Sequence, residues 1–429
     1  MGRIKERALL VGLALDGRAG GDSLSLDELQ ALTEQAGGEV VGRYLQRRPT
    51  PHPATYVGKG KVTEIQEGMA ALAPDVVIFD SELTPGQVRN LEKAFACRVV
   101  DRSEVILDIF ALRARTYQSK LAVELAQLEY QLPRLRHMWS HLGRLEGAPG
   151  IGTRGPGEKQ LETDRRLARK QIQFNREKLQ AIETRIDRDV QSRSGEYAVA
   201  LVGYTNTGKS TLMRHFSSRD VVVEDQLFAT IDTRTARVDL GNHEIILLSD
   251  TVGFINNIPH HLIESFKATL LHARRAGLLL HVIDASSPLA EQRIGVVDKI
   301  LKEIGCGDIA TVFVFNKIDL APDRVTVAAL AARYRQAVVV SAATGENMVA
   351  LGDMIRAVLR KWRHRVEVEI PIADGRLIAL VNKMAEVHEQ NWTDTAVRMS
   401  VTVSPDFLAR LETQGLIVGR KKAGKGKKR

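Results

Sequence analysis

The stretch GYTNTGKST, Gly203 to Thr211, lies between an apolar run, AVALV, and a run typical of a helix, TLMRHF. It contains the pattern G-x-x-x-x-G-K-S, in which glycines let backbone N–H groups converge on phosphates at the start of a helix. In that arrangement we expect Lys209 to reach the β- and γ-phosphates and Ser210 to bind magnesium. The stretch therefore predicts a strand, loop and helix that bind a nucleotide.

Three shorter motifs follow this loop, and each comes at the end of an apolar run. DTVGF, Asp250 to Phe254, is expected to hold magnesium through water at its aspartate and to contact the γ-phosphate through its glycine N–H. NKID, Asn316 to Asp319, ends in a carboxylate that accepts two hydrogen bonds from guanine, which adenine cannot donate. SAATG, Ser341 to Gly345, offers backbone N–H groups to the guanine carbonyl. Four motifs in this order predict that the nucleotide is GTP.

The order of these motifs resembles that of a translation-factor-class P-loop GTPase. This resemblance makes Thr230, in the segment LFATID, the switch threonine that binds magnesium when the γ-phosphate is present. The predicted magnesium ligands are therefore Ser210 and Thr230. The predicted GTP-binding residues are Gly203, Tyr204, Thr205, Asn206, Thr207, Gly208, Lys209, Ser210, Phe228, Ala229, Thr230, Ile231, Asp232, Asp250, Thr251, Val252, Gly253, Asn316, Lys317, Ile318, Asp319, Ser341, Ala342 and Ala343.

One position differs from the pattern of Ras-like proteins. Phe254 follows DTVG, at the place where those proteins carry the glutamine that orients the attacking water. An apolar side chain cannot orient water, so we expect slow intrinsic hydrolysis and assign no catalytic residue. The missing group has to come from elsewhere in the protein or from a partner.

A second glycine-rich stretch, PGIGTRGPGEKQ at Pro149 to Gln160, contains G-x-G-x-x-G but does not follow an apolar strand-like run. It ends in Gly-Glu where a phosphate loop needs Gly-Lys, so we do not expect it to bind a nucleotide. Basic residues surround it instead, and such residues contact RNA phosphates and stack on bases. The RNA-contact candidates are Arg154, Lys159, Arg165 and Arg166, within a wider basic set that includes Arg134.

The distribution of apolar runs predicts a multidomain α/β protein. Its predicted parts are an α/β domain at 1–112, a helical hairpin arm with a Gly-rich tip at 113–194, and a P-loop GTPase domain with a mostly parallel sheet at 195–363. A small α+β domain at 364–419 and a basic tail at 420–429 follow. In the arm, leucines from Leu121 to Leu142 step by four and three, as in a coiled coil, and Pro133 should kink or break that helix.

Composition limits the class of protein. The 429 residues are 44% hydrophobic and 26% charged, which is typical of globular domains and excludes a wholly disordered chain. Cys97 and Cys306 are the only cysteines, so a disulfide framework is excluded and a reducing compartment is favoured. No apolar run reaches the roughly 18 residues of a membrane helix. We expect a cytoplasmic monomer and leave peripheral membrane association open.

The charge is unevenly distributed along the chain. The net charge is +9, and the last ten residues, RKKAGKGKKR, carry seven positive charges, which leaves 9 − 7 = +2 for the rest. Such a tail attracts phosphate-rich surfaces or simply improves solubility.

Longer strings narrow the family. TYVGKGKVTEI, VIFDSELTPGQVRNLE, DRSEVILDIFALRARTYQSKLAVELAQLEY and GIGTRGPGEKQLETDRR together resemble the HflX family of ribosome-associated GTPases, from about residue 7 to about residue 365. The resemblance implies Mg²⁺ as cofactor and the large (50S) ribosomal subunit with its RNA as partner. It implies separation of stalled or stressed ribosomes, or help in their biogenesis, with hydrolysis stimulated by the ribosome. The C-terminal part resembles the family less.

Two alternatives of other classes stay open at this point. One is a nucleotide-driven RNA remodeller in which the N-terminal domain handles ATP. The other is a signalling GTPase that acts through a regulatory protein partner. Co-migration with ribosomal subunits in the presence of a non-hydrolysable GTP analogue discriminates between these alternatives and the ribosomal function.

Overall fold

The structure is a computed structural model. It describes residues 5–15, 22–138, 156–192, 197–217, 234–240, 244–256, 271–362, 364–403 and 405–420. In this part of the chain no helix is both long and apolar enough to cross a membrane.

The N-terminal unit is a parallel sheet flanked by helices. Its strands, in the spatial order β2-β1-β3-β4, are β1 (Arg7–Leu15), β2 (Glu39–Arg48), β3 (Val76–Phe79) and β4 (Arg98–Asp101). Its helices are α1 (Asp22–Ala36), α2 (Lys59–Leu72), α3 (Pro85–Phe95) and α4 (Arg102–Arg113). Strand β1 is central, and its Ala8, Leu9, Leu10 and Val11 are buried. The expected α/β character of this unit is thus confirmed.

Local sequence explains where α3 begins. Thr84 accepts a hydrogen bond from the Gln87 N–H (3.3 Å), and the Gln87 side chain accepts one from the Thr84 N–H (2.9 Å). This reciprocal capping satisfies two N–H groups that the first turn leaves unpaired, and Pro85 needs no N–H at the first helical position. The sequence TPGQ therefore starts a helix without tertiary help.

Two long helices, α5 (Tyr117–Met138) and α6 (Pro156–Ser192), form the described part of the arm and pack against each other. Leu121 and Leu125 of α5 are buried, and Arg176 of α6 forms a 2.7 Å ion pair with Glu129 of α5. The helix is not broken at Pro133, since α5 continues to Met138, and a kink at this position stays a prediction. Pro133 removes only its own N–H, and the packed helix tolerates the loss of one hydrogen bond.

The third unit is a six-stranded sheet in the order β10-β9-β8-β5-β7-β6. Only its edge strand β6, among the strands described, is antiparallel to its neighbour. The strands are β5 (Tyr197–Gly203), β6 (Arg234–Asp239), β7 (Ile245–Asp250), β8 (Leu278–Asp284), β9 (Ala310–Asn316) and β10 (Ala337–Val339). The helices are α7 (Lys209–Phe216), α8 (Leu271–Arg274), α9 (Ala290–Glu303), α10 (Arg324–Ala331) and α11 (Met348–Trp362). The predicted mostly parallel sheet is confirmed.

The last unit is an antiparallel sheet in the order β12-β13-β11-β14 with two helices. Its elements are β11 (His364–Pro371), α12 (Gly375–Met384), β12 (Glu386–Trp392), β13 (Ala396–Val403), α13 (Pro405–Thr413) and β14 (Ile417–Arg420). Helix α12 ends at Met384, and residues 386–388 belong to β12. Pairing of β12 with β13 decides this, with Glu386 opposite Thr402 and Val387 opposite Val401.

One hydrophobic cluster joins the N-terminal unit to the six-stranded unit. Leu29 of α1 and Ile106 of α4 belong to it, as do Val202, Phe254 and Ile255 of the other unit. All five side chains are nearly inaccessible to solvent. The two units therefore share a buried interface beside the loop that follows β5.

Candidate nucleotide site

The loop after β5 requires glycine at both of its ends. Gly203 and Gly208 have φ angles of +149° and +89°, which residues with a Cβ rarely adopt. A Cβ on Gly203 would lie 2.3 Å from the Val282 carbonyl oxygen, and one on Gly208 would lie 2.2 Å from Asn316 Nδ2. The backbone of the loop is therefore packed directly against β8 and the end of β9.

Lys209 begins α7 and is 6% exposed. Its Nζ donates hydrogen bonds to the carbonyl oxygens of Gly203 (3.2 Å) and Tyr204 (2.7 Å). Burial lowers the pKa of Lys209 to about 8; the Asp250 carboxylate raises it and the Lys317 ammonium lowers it further. The ammonium is thus held inside the loop, where an added phosphate would stabilise its charged form.

Ser210 and Asp250 bring two oxygen atoms together at the start of α7. The Ser210 hydroxyl donates a 2.7 Å hydrogen bond to Asp250 Oδ2, and Asp250, the last residue of β7, is fully buried. A hydroxyl and a carboxylate are hard oxygen ligands of the kind that magnesium prefers. This donor pair fits the ion that the sequence predicts, whereas Thr230 lies outside the described residues.

Asn316 connects three of the sequence motifs. Its Nδ2 donates to the Thr207 carbonyl (2.9 Å), and its Oδ1 accepts from the Ala342 N–H (2.9 Å). One buried amide thus joins NKID to both the phosphate-type loop and the SAATG loop. Sequence reasoning placed Asn316 at the site but missed this connecting role, which depends on two loops far away in the chain.

The rest of NKID lies at the carboxyl end of β9. Lys317 has a φ of +63°, and its ammonium lies 3.1 Å from Asp284 Oδ2 at the end of β8. Asp319 is exposed in a short 3₁₀ helix, Ile318–Leu320. The exposed Asp319 carboxylate at this edge of the sheet is accessible to a ligand.

The SAATG loop is fixed by its own hydrogen bonds. The Ser341 N–H donates to the Glu346 carbonyl (3.1 Å), and the Ser341 hydroxyl accepts from the Thr344 N–H (3.1 Å). Ser341 and Ala342 are buried, while Ala343 is exposed. The Glu346 carboxylate forms two bonds to Arg324 of α10, at 2.9 and 3.2 Å. The Arg324–Glu346 ion pair therefore joins the start of α10, which follows NKID, to the SAATG loop.

The DTVGF segment runs back along the phosphate-type loop. The Phe254 N–H donates to the Gly203 carbonyl (3.0 Å), and the Phe254 carbonyl accepts from the Thr205 N–H (2.7 Å). The Phe254 side chain is 3% exposed within the hydrophobic cluster shared by the two units. Gly253 is so close to the loop that an added Cβ would lie 3.0 Å from Lys209 Nζ.

Some predicted residues are not brought to this site. The segment 228–232, Arg154 and the side chain of Lys159 lie outside the described residues. Arg165 and Arg166 lie on α6, half-buried and exposed respectively. Arg134, of the wider basic set, is held by contacts within the protein. Its guanidinium is bonded to buried Asp101 Oδ2 (3.0 Å) and stacks 3.5 Å from the centre of the Tyr130 ring.

Three family models match consecutive parts of the chain. Residues 23–111 match a family described as "GTP-binding GTPase N-terminal", and residues 113–193 match "GTP-binding GTPase Middle Region". Residues 198–317, which include the phosphate-type loop and end within NKID, match "50S ribosome-binding GTPase".

Curated relatives extend over nearly the whole chain. The chain is 40% identical over 410 residues to "GTPase HflX" of Lacrimispora saccharolytica, which covers 95% of this chain and 96% of that protein. It is 47% identical over 304 residues to "GTPase HflX" of Escherichia coli, with 70% and 71% covered. Among solved structures, a GTP-binding protein from Sulfolobus solfataricus in complex with GDP is 22% identical to this chain. The superposition covers 83% of this chain and 99% of the other chain, with a TM-score of only 0.42.

Proposed function

The chain belongs to the HflX family of GTPases, and on that premise we propose that this GTPase acts on the large ribosomal subunit. In this proposal it separates stalled or stressed ribosomes into subunits, or assists their biogenesis, and the ribosome stimulates its GTP hydrolysis. The observation that carries the proposal is a basic segment of the long helix α6 in the same chain as the nucleotide-type loops. Residues 165–170 of α6, RRLARK, carry four positive charges and no negative one, which suits contact with RNA phosphates.

In this proposal the nucleotide lies across the carboxyl ends of β5, β7, β9 and β10. Lys209 and the N–H groups at the start of α7 hold the phosphates, and the Gly253 N–H contacts the γ-phosphate. The Asp319 carboxylate accepts hydrogen bonds from the guanine edge, and the 341–343 loop donates to the guanine carbonyl. Its support is the convergence of all four motifs on one edge, with Asn316 bonded to two of the other loops.

Magnesium has a place in the same proposal. The Ser210 hydroxyl, now bonded to Asp250, would bind the ion, and Asp250 would hold one of its waters. When bound, the ion would neutralise charge on the β- and γ-phosphates. Phe254 takes no part in positioning water, since its side chain lies in the hydrophobic interior. Slow hydrolysis by the isolated protein is the expected consequence.

The ribosomal part of the proposal predicts that substitutions in the arm impair only the ribosome-dependent properties of the protein. Replacing Arg165 and Arg166 with alanine, together with Arg154 and Lys159, should weaken ribosome binding, lower ribosome-stimulated hydrolysis and reduce subunit separation. GTP affinity and basal hydrolysis should stay near normal. Each lost phosphate contact should reduce the log–log salt slope by roughly one unit or slightly less. The measurement is pelleting with ribosomes across a salt series, with dissociated subunits counted on a gradient.

A chain truncated after Gly419 is the control for net charge, since it loses seven positive charges where the arm variant loses four. It should bind more weakly at low salt but still separate subunits once bound. An arm variant that splits ribosomes as well as the parent would contradict the proposed role of the arm. Absence of co-migration with either subunit would favour the RNA-remodelling or signalling alternatives instead.

The lowered pKa of Lys209 predicts proton uptake when nucleotide binds. Without nucleotide the pKa of Lys209 is about 8, and nearby phosphate oxygens should raise it. Below pH 8 the lysine is already charged, so GDP affinity should fall only as the pH rises above about 8. Calorimetry at about pH 8.5, in two buffers with different ionisation enthalpies, should show proton uptake on GDP binding. Replacement of the exposed Lys302 by methionine should leave this uptake unchanged, and equal heats in both buffers would contradict the prediction.

A further inference from the structure

The carboxyl ends of β1 and β3 in the N-terminal sheet adjoin charged side chains that the proposed function does not use. Because the strand order is β2-β1-β3-β4, the chain changes direction across the sheet between β1 and β3. Parallel α/β sheets bind ligands outside the carboxyl ends of the strands at such a point. Asp80 follows β3 directly there, and its N–H donates to the Val11 carbonyl of β1 (3.0 Å).

Three charged side chains meet at this end of the sheet. Arg102, the first residue of α4, is 2% exposed and forms ion pairs with Asp80 Oδ1 (2.6 Å) and with Glu28 Oε2 of α1 (2.5 Å). A buried guanidinium with two carboxylates leaves one negative charge in excess. Such a set needs a further hydrogen-bond donor, since a buried charge is costly when its hydrogen bonds are incomplete.

The donor comes from the other unit. The hydroxyl of Tyr204, in the phosphate-type loop, donates a 2.6 Å hydrogen bond to Glu28 Oε1. Burial and the Glu28 carboxylate raise the pKa of Tyr204, so the phenol stays protonated as a donor. The guanidinium of Arg293 lies over the Tyr204 ring at 4.7 Å, and Tyr204 is 4% exposed. The Tyr204 side chain is thus buried against the charged cluster of the N-terminal unit.

The same hydroxyl holds a second segment of the site. It accepts a 2.7 Å hydrogen bond from the N–H of Asn256, two residues after Phe254. Tyr204 and Phe254 also form an isolated parallel β-bridge. Its two backbone hydrogen bonds join Phe254 to Gly203 and to Thr205, the neighbours of Tyr204 in the loop. A displacement at Glu28 therefore reaches the loop that carries Lys209 and the segment that carries Gly253.

We propose that Glu28 is a positioning residue of the nucleotide site, which acts through the Tyr204 hydroxyl from outside the six-stranded unit. It fixes the phosphate-type loop and residues 252–256 relative to each other, and so slows the release of nucleotide. The inference rests on the proposed assignment of this loop to GTP and GDP. It makes nucleotide retention depend on the docking of the N-terminal unit.

The variant Tyr204→Phe tests the link with little other change, because it keeps the ring beneath Arg293 and leaves the Glu28–Arg102 pair intact. It removes the two hydrogen bonds of the hydroxyl, so GDP should dissociate about tenfold faster from the full-length protein. Hydrogen exchange at the Asn256 amide should also be faster. A role in folding alone would lower the melting temperature without changing the GDP dissociation rate below the transition.

A double-mutant cycle with Glu28→Gln identifies the route. Glu28→Gln alone should accelerate GDP release, but it should add little in the Tyr204→Phe background, because the two residues act through one contact. The control is Asp27→Asn, a substitution of the residue next to Glu28. It removes an exposed ion pair between Asp27 and Arg43, and the variant should release GDP at the parent rate. Fully additive effects in the cycle would overturn the proposal.

Two negative results have different meanings. If the parent protein does not bind GDP at all, the proposed nucleotide site itself is wrong. If the parent binds GDP and Tyr204→Phe releases it at the parent rate, only the role of Glu28 and Tyr204 is overturned.

Discussion

The variant Asp319→Asn should bind GTP roughly 10²–10³-fold more weakly than the parent and should bind xanthosine triphosphate more tightly. The Asp319 carboxylate is expected to accept hydrogen bonds from the guanine N1–H and 2-amino groups. Asparagine presents a donor to one of them, and a polar group left unpaired in a site built for hydrogen bonding carries a large penalty. Xanthine has a carbonyl in place of the 2-amino group and restores the pairing.

The local structure should not change when Asp319 is replaced by asparagine. Asp319 is exposed, and the short helix that carries it is held by backbone and Asn316 contacts that the substitution does not touch. Fluorescent GDP and competing GTP or xanthosine triphosphate measure the three affinities. Asp308→Asn, an exposed change at the opposite end of β9, should leave them all unchanged. Parent-like GTP affinity in Asp319→Asn would remove the argument for guanine.

The variant Lys209→Met should lose about 10³-fold in GTP hydrolysis without loss of stability. The ammonium is expected to stabilise charge that develops on the transferred phosphate, and removal of one such donor costs about 10²–10³-fold in rate. The methionine side chain has a similar shape and no charge to bury.

The stability side of this prediction follows from the lowered pKa. Because the pKa of Lys209 is about 8 in the folded chain and 10.5 unfolded, the unfolded state binds more protons between these values. Parent stability should therefore rise as the pH increases from about 8 to 10.5, and Lys209→Met should lose that rise. Denaturant titrations across this pH range measure it, with Lys302→Met as the exposed control. A Lys209→Met protein that hydrolyses GTP at the parent rate would exclude the proposed phosphate role.

The motifs at strand ends could be predicted from sequence because their spacing encodes local geometry. An apolar run followed by glycines and Lys209 specifies a strand, a tight loop and a helix start within a few residues. Helix α3 is another such case, since Thr84, Pro85 and Gln87 cap it locally. In each case the physical cause and the residues that express it are close together in the chain.

Edge strands were harder to predict. Strand β12, with the sequence EVHEQNW, exposes most of its side chains, so it shows no apolar alternation. Only its pairing with β13 identifies it as a strand. Helix α5 also continues past Pro133, because its packing against α6 offsets one lost hydrogen bond.

By itself the sequence determined the fold class, the strand-end motifs and the need for glycine at positions 203 and 208, since these follow from local backbone geometry and hydrophobic periodicity. Only the tertiary structure decided that Arg134 is an interior anchor, that Asn316 ties three loops together, and that Tyr204 donates to Glu28, 176 positions away in the chain. Buried polar groups must find hydrogen-bond partners wherever the fold brings them, and sequence spacing carries no record of such distant pairs.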